Sequence, residues 1–454
     1  MIIMKKTLYF VAMLSCFVAS AQDQMLTFMP GVPQNRQVNP AFAPKKGGYF
    51  TLPGLGSVQL GMTNTGFAWG DVIRPGSGLQ ADSLVVDLDH LAGRIKPINA
   101  LMGGNSVQLF GFGFSAGASH FSFDITNKTR MAFRYPGSIL DLRYGNWNYD
   151  QDKPINHSFS DMFSSGMNYT EVALGYSRQI TEKIRVGVTF KYLLGHASFK
   201  TERFNVGVET TSEQQMLVKA DASIVSSFPL MVEYDEEGYV DGLEYDDDVA
   251  ASKIIMSKNR GIALDLGMTW DVLDNLTLGA SVTDLGFINW KEHTNRFSTN
   301  NTFVFNGVDV GDEITGNEAD DRDYWEELGD SLTNSFKVSG SQMKYKTMLQ
   351  GSVNLMANYK FEEWLHFGAV SRHYMVDGTW LPNLNLSVGL HPGKALSTVV
   401  SYGVSRNDLA NIGLGLMFRG GPLQLYLLTD NLDAAFWPHK AKMVNARFGI
   451  NFII

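Results

Sequence analysis

The stretch "GFSAG" at 113–117 matches the Gly-x-Ser-x-Gly turn that presents a serine nucleophile, here Ser115. That elbow needs a strand, a sharp turn and then a helix. Here "VQLFGFGF" is followed at once by a second alternating run, "SHFSFDI", so a tight external hairpin accounts for the glycines. "GLHPGK" at 389–394 leaves three residues between its glycines where a phosphate loop leaves four. Nine histidines include no H-x-H or HExxH spacing, so no zinc pattern stands out. Cys16, the one cysteine, falls in an N-terminal apolar run; once that run is removed the chain has no thiol nucleophile, thiolate metal site or disulfide. Acids gather twice: residues 232–248 hold nine and no base, and residues 309–330 hold ten with only Arg322. Clustered carboxylates supply the oxygens that Ca²⁺ takes, which makes Asp246, Asp247 and Asp248 candidate ligands, although no EF-hand spacing is present. The plainer reading is solvated loops. Basic residues form no nucleic-acid patch. The expectation is a non-enzymatic protein with no cofactor beyond that Ca²⁺ candidate.

What would position these residues is a sheet. Charged residues make up 18% of the chain, below the roughly 25% usual for soluble domains, and the net charge is −9. Residues 1–21 read as a signal peptide: Lys5 and Lys6, an apolar run, then "ASA" with cleavage after Ala21. No later segment has the 18 or more apolar residues that a spanning helix needs. Instead, alternating strands recur. "IRVGVTFKYLLG" sets Ile184, Val186, Val188, Phe190 and Tyr192 against Arg185, Gly187, Thr189 and Lys191. "IALDLGMTW", "LTLGASVTD" and "NLNLSVGL" repeat the scheme, apolar on one face and small or polar on the other.

Very short connections ("TNK" at 126–128, "TEK" at 181–183, "LDN" at 273–275, "FEE" at 361–363, "HPGKA" at 391–395, "GGP" at 420–422) alternate with longer ones. Tight turns at one end and long loops at the other are what an outer-membrane barrel has. The fold expected is therefore an all-β, transmembrane, antiparallel up-and-down barrel. Its fourteen strands lie near 107–114, 119–126, 129–136, 169–180, 184–199, 261–271, 276–290, 347–359, 364–376, 382–390, 397–405, 410–419, 423–430 and 442–454. The domains expected are 1–21 signal peptide, 22–104 N-terminal plug segment and 105–454 barrel, with long acidic external loops at about 200–260 and 291–346. A short helix is expected within "LVVDLDHLAGRI".

"QVNPAFAP" at 37–44 resembles the Asn-Pro-Ala motif of a Bacteroidota outer-membrane family of largely unknown function, similar to FadL-like and PorV-type barrels. "SVTDLGFINW" at 281–290 and "GPLQLYLLTDNLDAAF" at 421–436 resemble that family's internal signatures. The resemblance implies a lumen plug, with Asn39, Pro40 and Ala41 as its landmarks. It also implies either passage of a hydrophobic small molecule or, in the PorV-type alternative, docking of secreted proteins or a type IX secretion translocon. The last residues, "RFGINFII", alternate to the final position and resemble the signal read by the outer-membrane assembly machinery, carried by Arg447, Gly449, Phe452 and Ile454. Phe448, Ile450, Phe452 and Ile454 are expected to face lipid, and the location expected is the cell outer membrane.

Overall fold

Alternation with one apolar face builds strands, and in the computed structural model these strands close on themselves. The structure describes residues 24–454 except 45, 77–82, 145–146, 149–150, 212–215, 247–248, 250–256, 306–334, 377–378, 394 and 406–410. The signal peptide and Cys16 lie outside the described residues, as do Asp247, Asp248 and the acidic run 309–330.

Fourteen antiparallel strands form the ring. They are β1 (in two pieces, Gly48–Thr51 and Val58–Asn64), β2 (Ile98–Ala116), β3 (Ser119–Pro136), β4 (Phe163–Gln179), β5 (Ile184–Thr210), β6 (Arg260–Leu273) and β7 (Leu276–Trp290). They continue as β8 (in two pieces, Tyr345–Met348 and Ser352–Glu362), β9 (Leu365–Val376), β10 (Thr379–Leu390), β11 (Leu396–Ser405), β12 (Asn411–Gly420), β13 (Leu423–Thr429) and β14 (Met443–Ile453). Each strand pairs with its neighbours in sequence, and β14 returns to β1 through Tyr49↔Ile453 and Val58↔Phe448. The final residue is sewn in: Ile454 N–H donates to Gly48 O at 2.8 Å, and Gly48 N–H to Ile454 O at 3.0 Å.

Two expectations are corrected, and they offset each other. "TNK" at 126–128 is no turn; β3 runs unbroken from 119 to 136 beside β2 and β4. Its outward positions change from Phe121, Phe123 and Ile125 to Asn127 and Thr129, so the apolar pattern stops while the strand continues. Conversely, 48–64 belongs to the wall rather than to a plug running to 104. The segment between its halves, Leu52–Ser57, still bonds on both sides, with Leu52 N–H to Ile450 O at 3.1 Å and Gly54 N–H to Leu109 O at 3.1 Å. The "GFSAG" turn, with Gly117 at φ +60°, lies at the same end as 180–183 and 274–275, not at the long-loop end. The connection after Val376 is two residues long, so connection length does not alternate throughout.

At the long-loop end β5 outruns the ring, and its residues 198–210 pair with a strand at Met216–Ser227, itself paired with Thr294–Phe305. The connection 65–97 carries the helix foreseen in "LVVDLDHLAGRI", at Leu88–Arg94. Asp87 caps it, and the His90 N–H at 2.8 Å, then Arg74, hold its carboxyl below the usual range. Among the described residues no helix is long and apolar enough to cross a membrane.

The wall is apolar outside and largely polar or small inside, apart from an apolar patch on β8, β9 and β11–β13. On β10, Leu386 is 51% exposed while its neighbour Asn385 is 2% exposed. On β14, Phe448 and Phe452 point outward, whereas Asn445, Arg447 and Asn451 are buried within.

Candidate functional site

A ring of fourteen strands encloses a lumen wider than its own side chains fill. Residues 24–42 occupy it. Two short 3₁₀ turns, Met25–Phe28 and Pro33–Gln37 with Pro33 at its first position, fold the segment back on itself. Met25, Leu26, Phe28, Met29, Val32 and Val38 form one apolar cluster with Met356 of β8, Val370 of β9, Val399 of β11, Met417 of β12, and Tyr426 and Leu428 of β13. Thioethers adapt to irregular gaps. Glycines make room for them: a side chain on Gly413 or Gly415 would strike Met25 and Met29.

The polar half of the segment meets the rest of the wall. Gln34 Nε2 donates to Gly56 O at 3.0 Å, Gln108 Oε1 at 2.9 Å and Asn451 Oδ1 at 2.8 Å. Arg36 pairs with buried Asp124 of β3, donates to the Tyr49 hydroxyl, and lies 5.0 Å from the Tyr49 ring centroid. Such pairing offsets much of the cost of burying a guanidinium. Arg447 Nη2 reaches Gln37 Oε1 at 3.0 Å.

The three stretches singled out in the sequence converge here. In the Asn-Pro-Ala motif, Asn39 Nδ2 donates to Met268 O at 3.1 Å and Ala280 O at 3.4 Å, on adjacent strands β6 and β7. Its Oδ1 accepts from Ala41 N–H at 2.9 Å, closing a local turn before Pro40 can extend the chain. Pro40 and Ala41 press on Gly187 of β5, and Asn39 presses on Gly267 of β6. No residue with a Cβ fits at either wall position without moving the segment. From "SVTDLGFINW", Ser281 Oγ donates to Val38 O at 2.7 Å. From "GPLQLYLLTDNLDAAF", Gln424 Nε2 donates to Gly31 O at 2.9 Å, and Asp430 Oδ1 accepts from Met25 N–H at 3.0 Å.

Sequence reading missed a charged girdle to which five successive strands each give one residue. Lys128 of β3 lies 2.8 Å from Glu171 of β4, and Lys191 of β5 lies 2.7 Å from Asp265 of β6 and 2.6 Å from Asp284 of β7. Lys128 also approaches Asp284 at 3.7 Å. Asp284 sits at φ +55°, where β7 bulges, and its N–H donates to Asp265 Oδ1 at 2.7 Å. For four of the five the signal was present, a charge on the small-residue face of the strand; Asp284 falls on the apolar face by alternation and reaches the girdle only through its bulge. Further round, Asn354, Arg372 and Asn383 stand in register across β8, β9 and β10, and Arg372 Nε and Nη1 are buried without a hydrogen bond.

Of the residues expected to carry the assembly signal, Arg447 and Gly449 face the lumen, while Phe452 and Ile454 face outward at the short-turn end. Ser115 sits in a hairpin with no helix after it; its hydroxyl donates to Pro44 O at 2.8 Å and lies 3.0 Å from His120 Nδ1. Asp246 ends a hairpin, its N–H bonded to Pro229 O at 2.9 Å. Among the described residues, no three His, Cys, Asp or Glu side chains are placed to hold a metal ion.

No curated protein matches the sequence. Solved barrels similar to this one include the Ralstonia pickettii toluene transporter TbuX, at 8% identity and a TM-score of 0.44 over 93% of each chain. The Pseudomonas putida toluene transporter TodX is similar at 10% identity and 0.38, over 96% of this chain and 94% of that one. A Pseudomonas aeruginosa FadL homologue is similar at 10% identity and 0.42, over 94% of this chain and 95% of that one. A family match runs over residues 40–430, from Pro40 at the wall glycines to Asp430, which anchors Met25: the chain belongs to the family of unknown function DUF5723.

Proposed function

We propose that this chain is an outer-membrane barrel, exported through a signal peptide cleaved after Ala21, whose lumen binds and passes a hydrophobic small molecule, with residues 24–42 as its plug. The observation that carries the reading is the make-up of the plug contact. A segment meant as permanent filler would interlock with large, rigid side chains. Part of this contact is instead Met25 and Met29 set against Gly413 and Gly415, an interface that can repack. The apolar outer face supports the membrane location, because a strand with its greasy side outward and its backbone fully paired is stable in lipid.

A ligand crossing the lumen would pass the girdle of Lys128, Glu171, Lys191, Asp265 and Asp284 and the apolar cluster around Met25 and Met29. Displacing the thioethers opens the path along the plug. The mature chain has no cysteine of its own, so the motion can be locked. Cysteines at Asn35 and Thr277, which line one cavity from plug and wall, can be joined by a short bifunctional maleimide. In proteoliposomes the joined protein should lose uptake of an apolar dye that the unjoined protein supports. Native mass spectrometry should show a co-purified lipid or detergent. Equal flux with the plug locked, together with a consistently empty lumen, would refute the transport reading.

A further inference from the structure

On the outer face of β6, β7 and β8, where these strands reach the long-loop end, cations and apolar residues lie in register. The upper rung sets Arg260 against Asn289 and Asn289 against Lys346. The rung one pleat nearer the short-turn end sets Ile262 against Phe287 and Phe287 against Met348. All six point outward, since the residues between them, Gly261, Ile288 and Thr347, are buried on the lumen side. Ile262 is 47% exposed and Met348 60% exposed, so the apolar rung continues the greasy outer wall. The two rungs are joined: Lys346 Nζ lies 3.7 Å from the Phe287 ring centroid, a cation–π contact that holds the ammonium over the ring. Two further exposed cations flank the patch, Lys291 just after β7 and Lys344 just before β8. Lys291 N–H donates to Asn259 Oδ1 at 2.7 Å, which ties this stretch of backbone to the start of β6.

The one acid in 257–262, 287–293 and 344–348 is Glu292, and Lys258 already pairs with it at 2.9 Å. Among the described residues, Lys291, Lys344 and Lys346 have no carboxylate partner. This basic rim stands out at an end of the molecule where residues 232–248 hold nine acids and no base. Lipid chains alone would need the apolar rung but no cations above it. A free anion would need the cations but not Phe287 and Met348 beneath them. We infer that the patch binds a phosphorylated lipid of the leaflet at the long-loop end. Its phosphate lies against Arg260, Asn289 and Lys346, and its chains run down over Ile262, Phe287 and Met348. A guanidinium offers a phosphate two parallel donors, and the Asn289 amide adds another between the two cations. The inference rests on the membrane location of the wall and not on passage through the lumen.

Isothermal titration of the full mature chain in non-ionic detergent micelles tests the patch with dioleoyl phosphatidate, dioleoylglycerol and glycerol 3-phosphate. Phosphatidate should bind, and dioleoylglycerol, which keeps the chains and lacks the phosphate, should bind roughly tenfold or more weakly. R260Q and K346Q should each weaken phosphatidate by roughly fivefold, and together by about thirtyfold. K360Q, at the short-turn end of β8, should bind like the parent. Heat-modifiable migration confirms that each variant is folded. Glycerol 3-phosphate binding as tightly as phosphatidate would make the rim a site for free anions, and dioleoylglycerol binding as tightly would make it a site for chains; either overturns the inference. So would a folded double variant that binds like the parent, or a K360Q loss as large as that of K346Q, which would mean general surface charge. Dye flux runs through the lumen and not over this face, so the transport reading and this one fall separately.

Discussion

Arg36 carries the most electrostatic weight in residues 24–42, because Asp124 is buried beside it. Arg36→Met should cost about 3–5 kcal/mol, since it strands a carboxylate in the lumen wall. Pairing it with Asp124→Leu should recover most of that loss. Urea unfolding in detergent, read as a double-mutant cycle, checks both values; additive losses would mean that the two do not interact. At this scale the sequence was partly legible. Asn39, Pro40 and Ala41 could be named from their motif, but not Gly187 and Gly267, the wall positions they press upon. Those glycines are more than a hundred residues away, and in the sequence they are two among 45. The girdle stayed hidden for a related reason: a single charge in an alternating strand looks like tolerated polarity until closure brings five strands together.

Strands were legible where lipid imposes a pattern and obscure where it does not. β6, β10 and β12 lie close to where alternation put them. β3 was cut in two because Asn127 and Lys128 read as a turn, although Asn127 Nδ2 bonds sideways to Thr170 Oγ1 at 3.3 Å and the ladder runs on. β1 was overlooked because its halves are short and Pro53, Gly54 and Gly56 part them. The count of fourteen survived because one strand was split and one missed. Residues 24–42 pair with no strand of the ring, which makes their removal a test at this scale. Deleting residues 24–42 should leave heat-modifiable migration intact and raise single-channel conductance in planar bilayers severalfold; a closed, non-conducting variant would show that the wall itself blocks the path. Deleting 447–454 should instead abolish assembly, since Phe448, Gly449 and Asn451–Ile453 pair with β1, β13 or both. Recovery of that truncation as a folded membrane protein would refute the assembly role of Arg447, Gly449, Phe452 and Ile454.

Across the whole molecule, the division between greasy exterior and polar interior predicts opposite responses to the same charge. Leu386→Arg, on the outer face of β10, should lower stability by about 2–4 kcal/mol, while arginine at a lumen position open to water should cost far less. Urea titration in phospholipid vesicles measures both, and equal losses would contradict a lipid-facing exterior. The seam has a consequence for closure as well. The backbone bonds that β1 and β14 do not make with their neighbours in sequence are made with each other. Only a few residues tether the plug's end at Phe42 to Gly48 in that seam. Residues 24–42 are thus held in the lumen by a short leash from the very strand that closes the ring, so the filling and the fastening of the barrel share one stretch of chain.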